Sequence, residues 1–182
     1  MSPIRLIGRL DVSAAVKQLD ANPQVWNRHS LRREAYVHRQ VDDIWVRYNA
    51  WENFTGDAAA FNGPHTSVWY PVVTEVPALW SLARQAKRLA GASQLGGVLV
   101  TRIPPGGRVE PHIDRGWHAE TYRKIGVQIS GHADQVFWFE HDGHRTELRP
   151  ETGEVYEFRN DVLHGVDNDS PVPRITLIVC CE

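Results

Sequence analysis

His112, Asp114 and His164 are residue types that hold a divalent cation, and Arg174 stands a short distance beyond the last of them. Two imidazoles and one carboxylate leave coordination positions open, as at mononuclear non-haem Fe(II) sites that activate oxygen; zinc accepts the same donors. On a strand, residues i and i+2 share a face, so His112 and Asp114 can reach one ion with Ile113 turned into the opposite layer. His164 would arrive from a different strand about fifty residues later. The Arg174 guanidinium offers a planar fork that receives a carboxylate bidentately. Thr176, two residues on, faces the same way on an extended chain.

The triplet alone carries little. With nine histidines in the chain, about half a His-x-Asp triplet is expected by chance, and His132-Ala133-Asp134 is a second one. That one follows Ser130-Gly131 and reads as a solvated turn. The company kept by His112-Ile113-Asp114 is what distinguishes it. A strand and the turn Pro104-Pro105-Gly106-Gly107 precede it, a turn at Gly153 and a further strand precede His164, and Arg174 opens the last strand.

The elements that must position these residues fall into two textures. Residues 11–20 place Val12, Val16 and Leu19 at helical spacing after Asp11, a plausible cap, and Asn22-Pro23 ends that helix. Residues 43–51 read as a strand rich in aromatic and β-branched side chains. Pro77 opens a second helix with Leu79, Leu82, Ala83, Ala86 and Leu89 on one stripe, and Gly91 is its natural stop. From Leu95 onward, short strands alternate with Gly and Pro turns: 97–103, 109–113, 122–130, 136–140, 145–148, 155–158 and 174–180, with Asp142-Gly143 as a hairpin turn. Seven or so strands behind a helical beginning predict a mainly β (α+β) fold: a jelly roll, or double-stranded β-helix, with N-terminal and flanking helices.

The bulk properties narrow the partners. With 182 residues and no repeat or linker-like stretch, one domain is expected, residues 1–94 packing on a core formed by residues 95–182. A net charge of −2 and a pI near 6.5 argue against a nucleic-acid or membrane-surface footprint. Residues 1–10 carry no signal-like apolar run, and nothing approaches membrane-spanning length. Cys180 and Cys181 are adjacent, so on a strand they point to opposite faces and suit packing better than a disulfide. A cytoplasmic location follows.

The stretches Pro105-Gly106-Gly107-Arg108-Val109-Glu110-Pro111-His112, Gly153-Glu154-Val155-Tyr156, 160–164, Asp167-Asn168-Asp169-Ser170 and 174–179 resemble, in order and spacing, the aspartyl/asparaginyl β-hydroxylase family of 2-oxoglutarate-dependent oxygenases, with its proline hydroxylase and phage or bacterial members. The resemblance covers somewhat under half the chain. It implies Fe(II), 2-oxoglutarate and O2 as cofactor and cosubstrates, and His112, Asp114 and His164 as catalytic iron ligands. It makes Arg174 the partner of the distal 2-oxoglutarate carboxylate, assisted by Thr101 where relatives often have serine. Relatives tend to show Arg-x-His where this chain reads Tyr122-Arg123-Lys124. Lys124 could replace the histidine's contact with the cosubstrate, with Tyr122 beside it, or be an exposed strand lysine. The implied reaction hydroxylates an amino-acid-type substrate (a peptidyl Asp or Asn, a free amino acid or a related small molecule) and releases succinate and CO2.

Substrate-facing residues are legible only as candidates. Gly116 could hinge a loop carrying Arg115 and Trp117 over the site, or Trp117 could simply pack. Arg47, Asn49 and Trp51 alternate on the early strand, which is either a cavity wall or a half-exposed outer strand. Two other readings compete: a cupin-type metalloenzyme that makes no use of 2-oxoglutarate, and a non-catalytic jelly-roll binding module. Cupins usually have a second histidine where Asp114 stands, and that reading leaves Arg174 unemployed; intact ligands together with Arg174 argue against a binding module.

Overall fold

The structure, a computed structural model, describes residues 2–29, 31, 32, 34 and 36–182. Its elements in chain order are β1 (Ile4–Arg9), α1 (Ser13–Ala21), β2 (Asp42–Tyr48), α2 (Ala58–Phe61), β3 (Val68–Trp69), α3 (Val72–Glu75), α4 (Pro77–Leu89), β4 (Leu95–Ile103), β5 (Arg108–His112), α5 (Trp117–Thr121), β6 (Arg123–Ser130), β7 (Gln135–His141), β8 (His144–Leu148), β9 (Glu154–Phe158), β10 (Leu163–Asn168) and β11 (Arg174–Cys181). A larger sheet runs β1-β9-β6-β11-β4-β2-β3 and a smaller one β5-β10-β7-β8, all neighbours antiparallel. This is the expected mainly β jelly roll with flanking helices.

Period-two alternation divides the larger sheet into two faces. Ile44 and Val46 of β2, Val98 and Val100 of β4, Ile125, Val127 and Ile129 of β6, and Leu177, Val179 and Cys181 of β11 join one buried cluster with Leu79, Leu82, Ala83 and Ala86 of α4. Helix α4 starts where a proline suits the first turn and ends at Gly91, whose φ of 63° a side chain would resist. The opposite face of the same strands turns toward the smaller sheet. There Ile103, Phe137, Phe139, Tyr156, Phe158 and Val166 form a second cluster. The site lies within that second layer.

Several boundaries differ from the sequence expectation. The N-terminal part does more than pack on the core, since β1 pairs with β9, β2 pairs with β4, and β3 extends that edge. The early strand ends at Tyr48, and Trp51 begins a 3-10 turn. Leu89 leaves the apolar stripe: it is 41% exposed because it lies on the last turn, where it covers Gly8 of β1. Asp142 and Gly143 do form the hairpin between β7 and β8, both at positive φ. Cys180 and Cys181 are free and buried, and lie on opposite faces as expected.

Candidate metal and cosubstrate site

His112 ends β5 and His164 sits near the start of β10, directly opposite it in the register. Their rings lie 4.4 Å apart. Asp114 is not on the strand, contrary to the i, i+2 expectation: β5 stops at His112, and Ile113 is 40% exposed rather than packed in the opposite layer. The carboxylate is brought round by the chain turning away, held where the Asp114 N–H donates to the Asn160 carbonyl at 2.9 Å. One ligand atom from each of His112, Asp114 and His164 lies within 4.8 Å of the others.

Hydrogen bonds determine what those atoms offer. His112 Nδ1 is 2.8 Å from the Glu110 carbonyl and His164 Nδ1 is 2.7 Å from the Val162 carbonyl. A carbonyl only accepts, so each Nδ1 carries the proton and each Nε2 presents a lone pair. Those lone pairs face a carboxylate: His112 Nε2 is 3.3 Å from Asp114 Oδ1, and His164 Nε2 is 4.0 Å from Asp114 Oδ2. Acceptors converging on acceptors need a cation among them. Ligand bonds of about 2.1 Å span such separations, so the residues fit a divalent metal. Burial alone would raise the Asp114 pKa, but the ammonium of Lys124, which donates to Asp114 Oδ2, draws it down. Burial chiefly lowers the His164 pKa, which keeps its imidazole neutral.

Arg174 opens β11 and is 3% exposed. Its Nη2 donates to the Tyr156 hydroxyl at 3.1 Å, its guanidinium lies 5.8 Å from the centre of the Phe137 ring, and Nε has no acceptor among the described residues. Gln128 Oε1 accepts from both the Tyr156 hydroxyl and Thr176 Oγ1, at 3.2 Å each. A cation so deeply buried without a carboxylate is costly, and an anionic ligand would offset that cost. Gly126 makes room for the arrangement, because a Cβ there would come within 2.3 Å of the Tyr156 ring. Arg174, Tyr156, Thr101, Thr176 and Lys124 line one cavity together with the three candidate ligands.

The other sequence candidates scatter. Thr101 pairs with Thr176 across the strands and donates to its carbonyl at 3.5 Å; no hydrogen bond joins it to Arg174, which is held by Tyr156 instead. Tyr122 is away from the cavity, its ring against Gly96, Trp117 and His118. Asn49 faces inward and is structural: it donates to the Phe61 carbonyl and accepts from Asn53. Trp51 stacks with His29, Phe54 and Phe61, since the chain has left the strand by that point. Trp117 packs against His65 and Tyr122 at the start of α5. Arg47 and Arg115 line an outer cleft that shares Arg32, His38, His112, Asp114, Lys124 and Ile178 with the inner cavity. His132 and Asp134 lie in the turn before β7, as expected for surface.

Tyr156, Gln128, His38 and Arg32 were missed as site residues. His38 stands edge-on to His112, 5.4 Å between ring centres, and its Nε2 accepts from Arg32 Nη2 at 3.1 Å. Burial, with the Arg32 charge second, pushes its pKa down to about 2. Gln128 lies on the same face of β6 as Lys124, but nothing in the alternation marks that face as a cavity wall.

By sequence, no protein-family model and no curated protein matches this chain. Solved structures do match. A prolyl hydroxylase from Trichoplax adhaerens, in complex with a hypoxia inducible factor oxygen degradation domain peptide fragment, superposes with a TM-score of 0.69 at 12% identity, covering 98% of this chain and 83% of that one. A 2OG-Fe(II) oxygenase family oxidoreductase from Burkholderia pseudomallei gives 0.59 at 13% identity over 97% and 91%. A Pseudomonas putida prolyl-4-hydroxylase gives 0.52 at 14% identity over 98% and 90%. The chain is a jelly-roll protein with the fold of the 2-oxoglutarate–Fe(II) oxygenases. Among the described residues no helix is long and apolar enough to cross a membrane.

Proposed function

We propose that the chain is an Fe(II)- and 2-oxoglutarate-dependent dioxygenase that hydroxylates an amino-acid-type substrate, acting as a single domain. One observation carries the reading: two imidazole lone pairs and a carboxylate converge in the same cavity as a buried arginine that lacks an anionic partner among the described residues. His112, Asp114 and His164 would hold the metal, leaving positions open for other ligands. Iron bound there with 2-oxoglutarate supplies oxygen activation, with succinate and CO2 formed as a C–H bond is hydroxylated.

The chain's own residues do the positioning. The Glu110 and Val162 carbonyls hold both imidazoles in the ligating tautomer. Arg174, oriented by Tyr156, would receive the distal carboxylate of the cosubstrate. Thr176 and Gln128 keep that hydroxyl in place, and Phe137, Phe158, Ile103 and Val166 exclude water. Lys124 balances the Asp114 charge rather than standing as an exposed strand lysine. The test is conversion of 2-oxoglutarate to succinate with added Fe(II). Wild type should turn over, and Asp114→Ala and His164→Ala should not; retained turnover in either variant would refute the ligand assignment.

A further inference from the structure

The outer cleft encloses about 590 Å3, the size of a small-molecule site, and opens onto the candidate ligands His112 and Asp114. Among the described residues, four that line it carry a buried side-chain nitrogen with no hydrogen-bond partner: Arg32 Nη1, His38 Nδ1, Trp45 Nε1 and Arg47 Nε. All four are donors, His38 included, because its Nε2 already accepts from Arg32. A cleft whose unmet groups are all donors is short of acceptors, and an occupant rich in oxygen would supply them.

The charges show which donor has capacity to spare. Arg32 faces Asp43 at 3.6 Å, and Lys124 is paired with Asp114. Arg115 is exposed at the rim. Arg47 is half-buried and forms no ion pair with an acidic side chain among the described residues. Its guanidinium makes one hydrogen bond, Nη2 to the Leu95 carbonyl at 3.3 Å, and rests over Trp69 at 5.3 Å. Burial lowers its pKa, the mark of a charge that has lost water without gaining a counter-ion. On β2 it follows Trp45 across a break in the pairing with β4, and both residues line the outer cleft.

We propose that Arg47 is a specificity-determining residue that binds a free carboxylate on a small, amino-acid-sized substrate, with Trp45 Nε1 as a second donor. One unspent cation balances one negative charge, which favours a carboxylate over a phosphate. Trp45, Tyr48 and His118 give the cleft walls for the substrate's carbon body. A carboxylate read in the same compartment as the metal ligands selects a free amino acid or a similar acid over a residue internal to a polypeptide. The proposal rests on the oxygenase reading for what happens to the substrate, but not for its binding.

The test offers the twenty free L-amino acids and their C-terminal amides as paired probes. Binding is measured by equilibrium dialysis under argon with Fe(II) and 2-oxoglutarate, and succinate release is measured in air. At least one acid should bind roughly tenfold or more tightly than its amide, and Arg47→Gln should erase that preference while Arg47→Lys keeps part of it. The comparison of acid with amide in wild type needs no variant, so a misfolded variant cannot hide the answer. Equal binding of acid and amide, binding of amides only, no binding of any acid, or a preference that survives Arg47→Gln would each overturn the proposal. Arg47-dependent acid binding without succinate release would instead leave the carboxylate site standing and count against the oxygenase reading.

Discussion

The inner cavity and the outer cleft meet at His112 and Asp114, yet they are built in opposite ways. The inner walls come mostly from strands, and apart from Arg174 Nε their polar groups are largely engaged with one another: Gln128 accepts from two hydroxyls, the Tyr156 hydroxyl accepts from Arg174 Nη2, and both imidazoles are tied to backbone carbonyls. The outer walls come from β2, Arg32, His38 and the start of α5, and among the described residues they hold donors with no acceptor. Chemistry that needs fixed atoms is placed on rigid, mutually locked side chains. Recognition is placed where side chains can still adapt and still have hydrogen bonds to give.

The largest effects should come from removing a candidate metal ligand. Asp114→Ala or His164→Ala should abolish specific Fe(II) binding, read by equilibrium titration, because the remaining donors no longer enclose an ion. Next, Arg174→Ala should weaken 2-oxoglutarate binding on the order of a hundredfold, measured as its dissociation constant with Fe(II) present. Gly126→Ala should drive the Tyr156 ring out of place and cost about 1–3 kcal/mol in denaturant unfolding, with a weaker 2-oxoglutarate affinity alongside. That variant separates inner from outer, since the Tyr156 ring it displaces lines the inner cavity and not the outer cleft.

A smaller effect concerns pH. Burial, with His65 and Lys124 adding to it, pushes His118 from 6.5 down to about 4, and its Nε2 accepts the Gly97 N–H at 3.0 Å. The folded pKa lies below the unfolded one, so the unfolded chain takes up the proton first as pH falls. Stability is therefore full above about pH 6.5 and declines toward pH 4, by at most about 1.4 kcal/mol per pH unit for this group. Melting curves across that window should show a shallower decline in His118→Gln. Smallest of all, His132→Ala should change neither Fe(II) binding nor turnover, since that triplet lies in a partly exposed turn remote from both cavities.

Much of this was readable in advance, for identifiable reasons. The His, Asp, His and Arg positions stand out because their residue types are chemically rare in such an order, and α4 stands out because its proline, stripe and glycine agree. Asp114 comes beside the two histidines by a route that strand periodicity does not show: the strand ends at His112, and a backbone bond to Asn160 takes over. The Lys124-Gly126-Gln128 face of β6 reads as solvent-facing, because alternation distinguishes two faces without saying which polar one is an internal cavity. Arg32 lies in a turn and His38 ends a three-residue 3-10 helix, too short for a period to mark a direction. Asn49 and Trp51 were misjudged because the strand ends at Tyr48 and the alternation stops with it.

The central claim is that the metal ligands and Arg174 form one site for one cosubstrate. Anaerobic titration of 2-oxoglutarate into the protein with Fe(II) tests it most directly, followed by visible absorption. Wild type should develop a charge-transfer band that saturates and needs both additions, and Arg174→Ala should fail to develop it at the same concentrations. An unchanged band in Arg174→Ala, or no band in wild type that has bound Fe(II), would contradict the account.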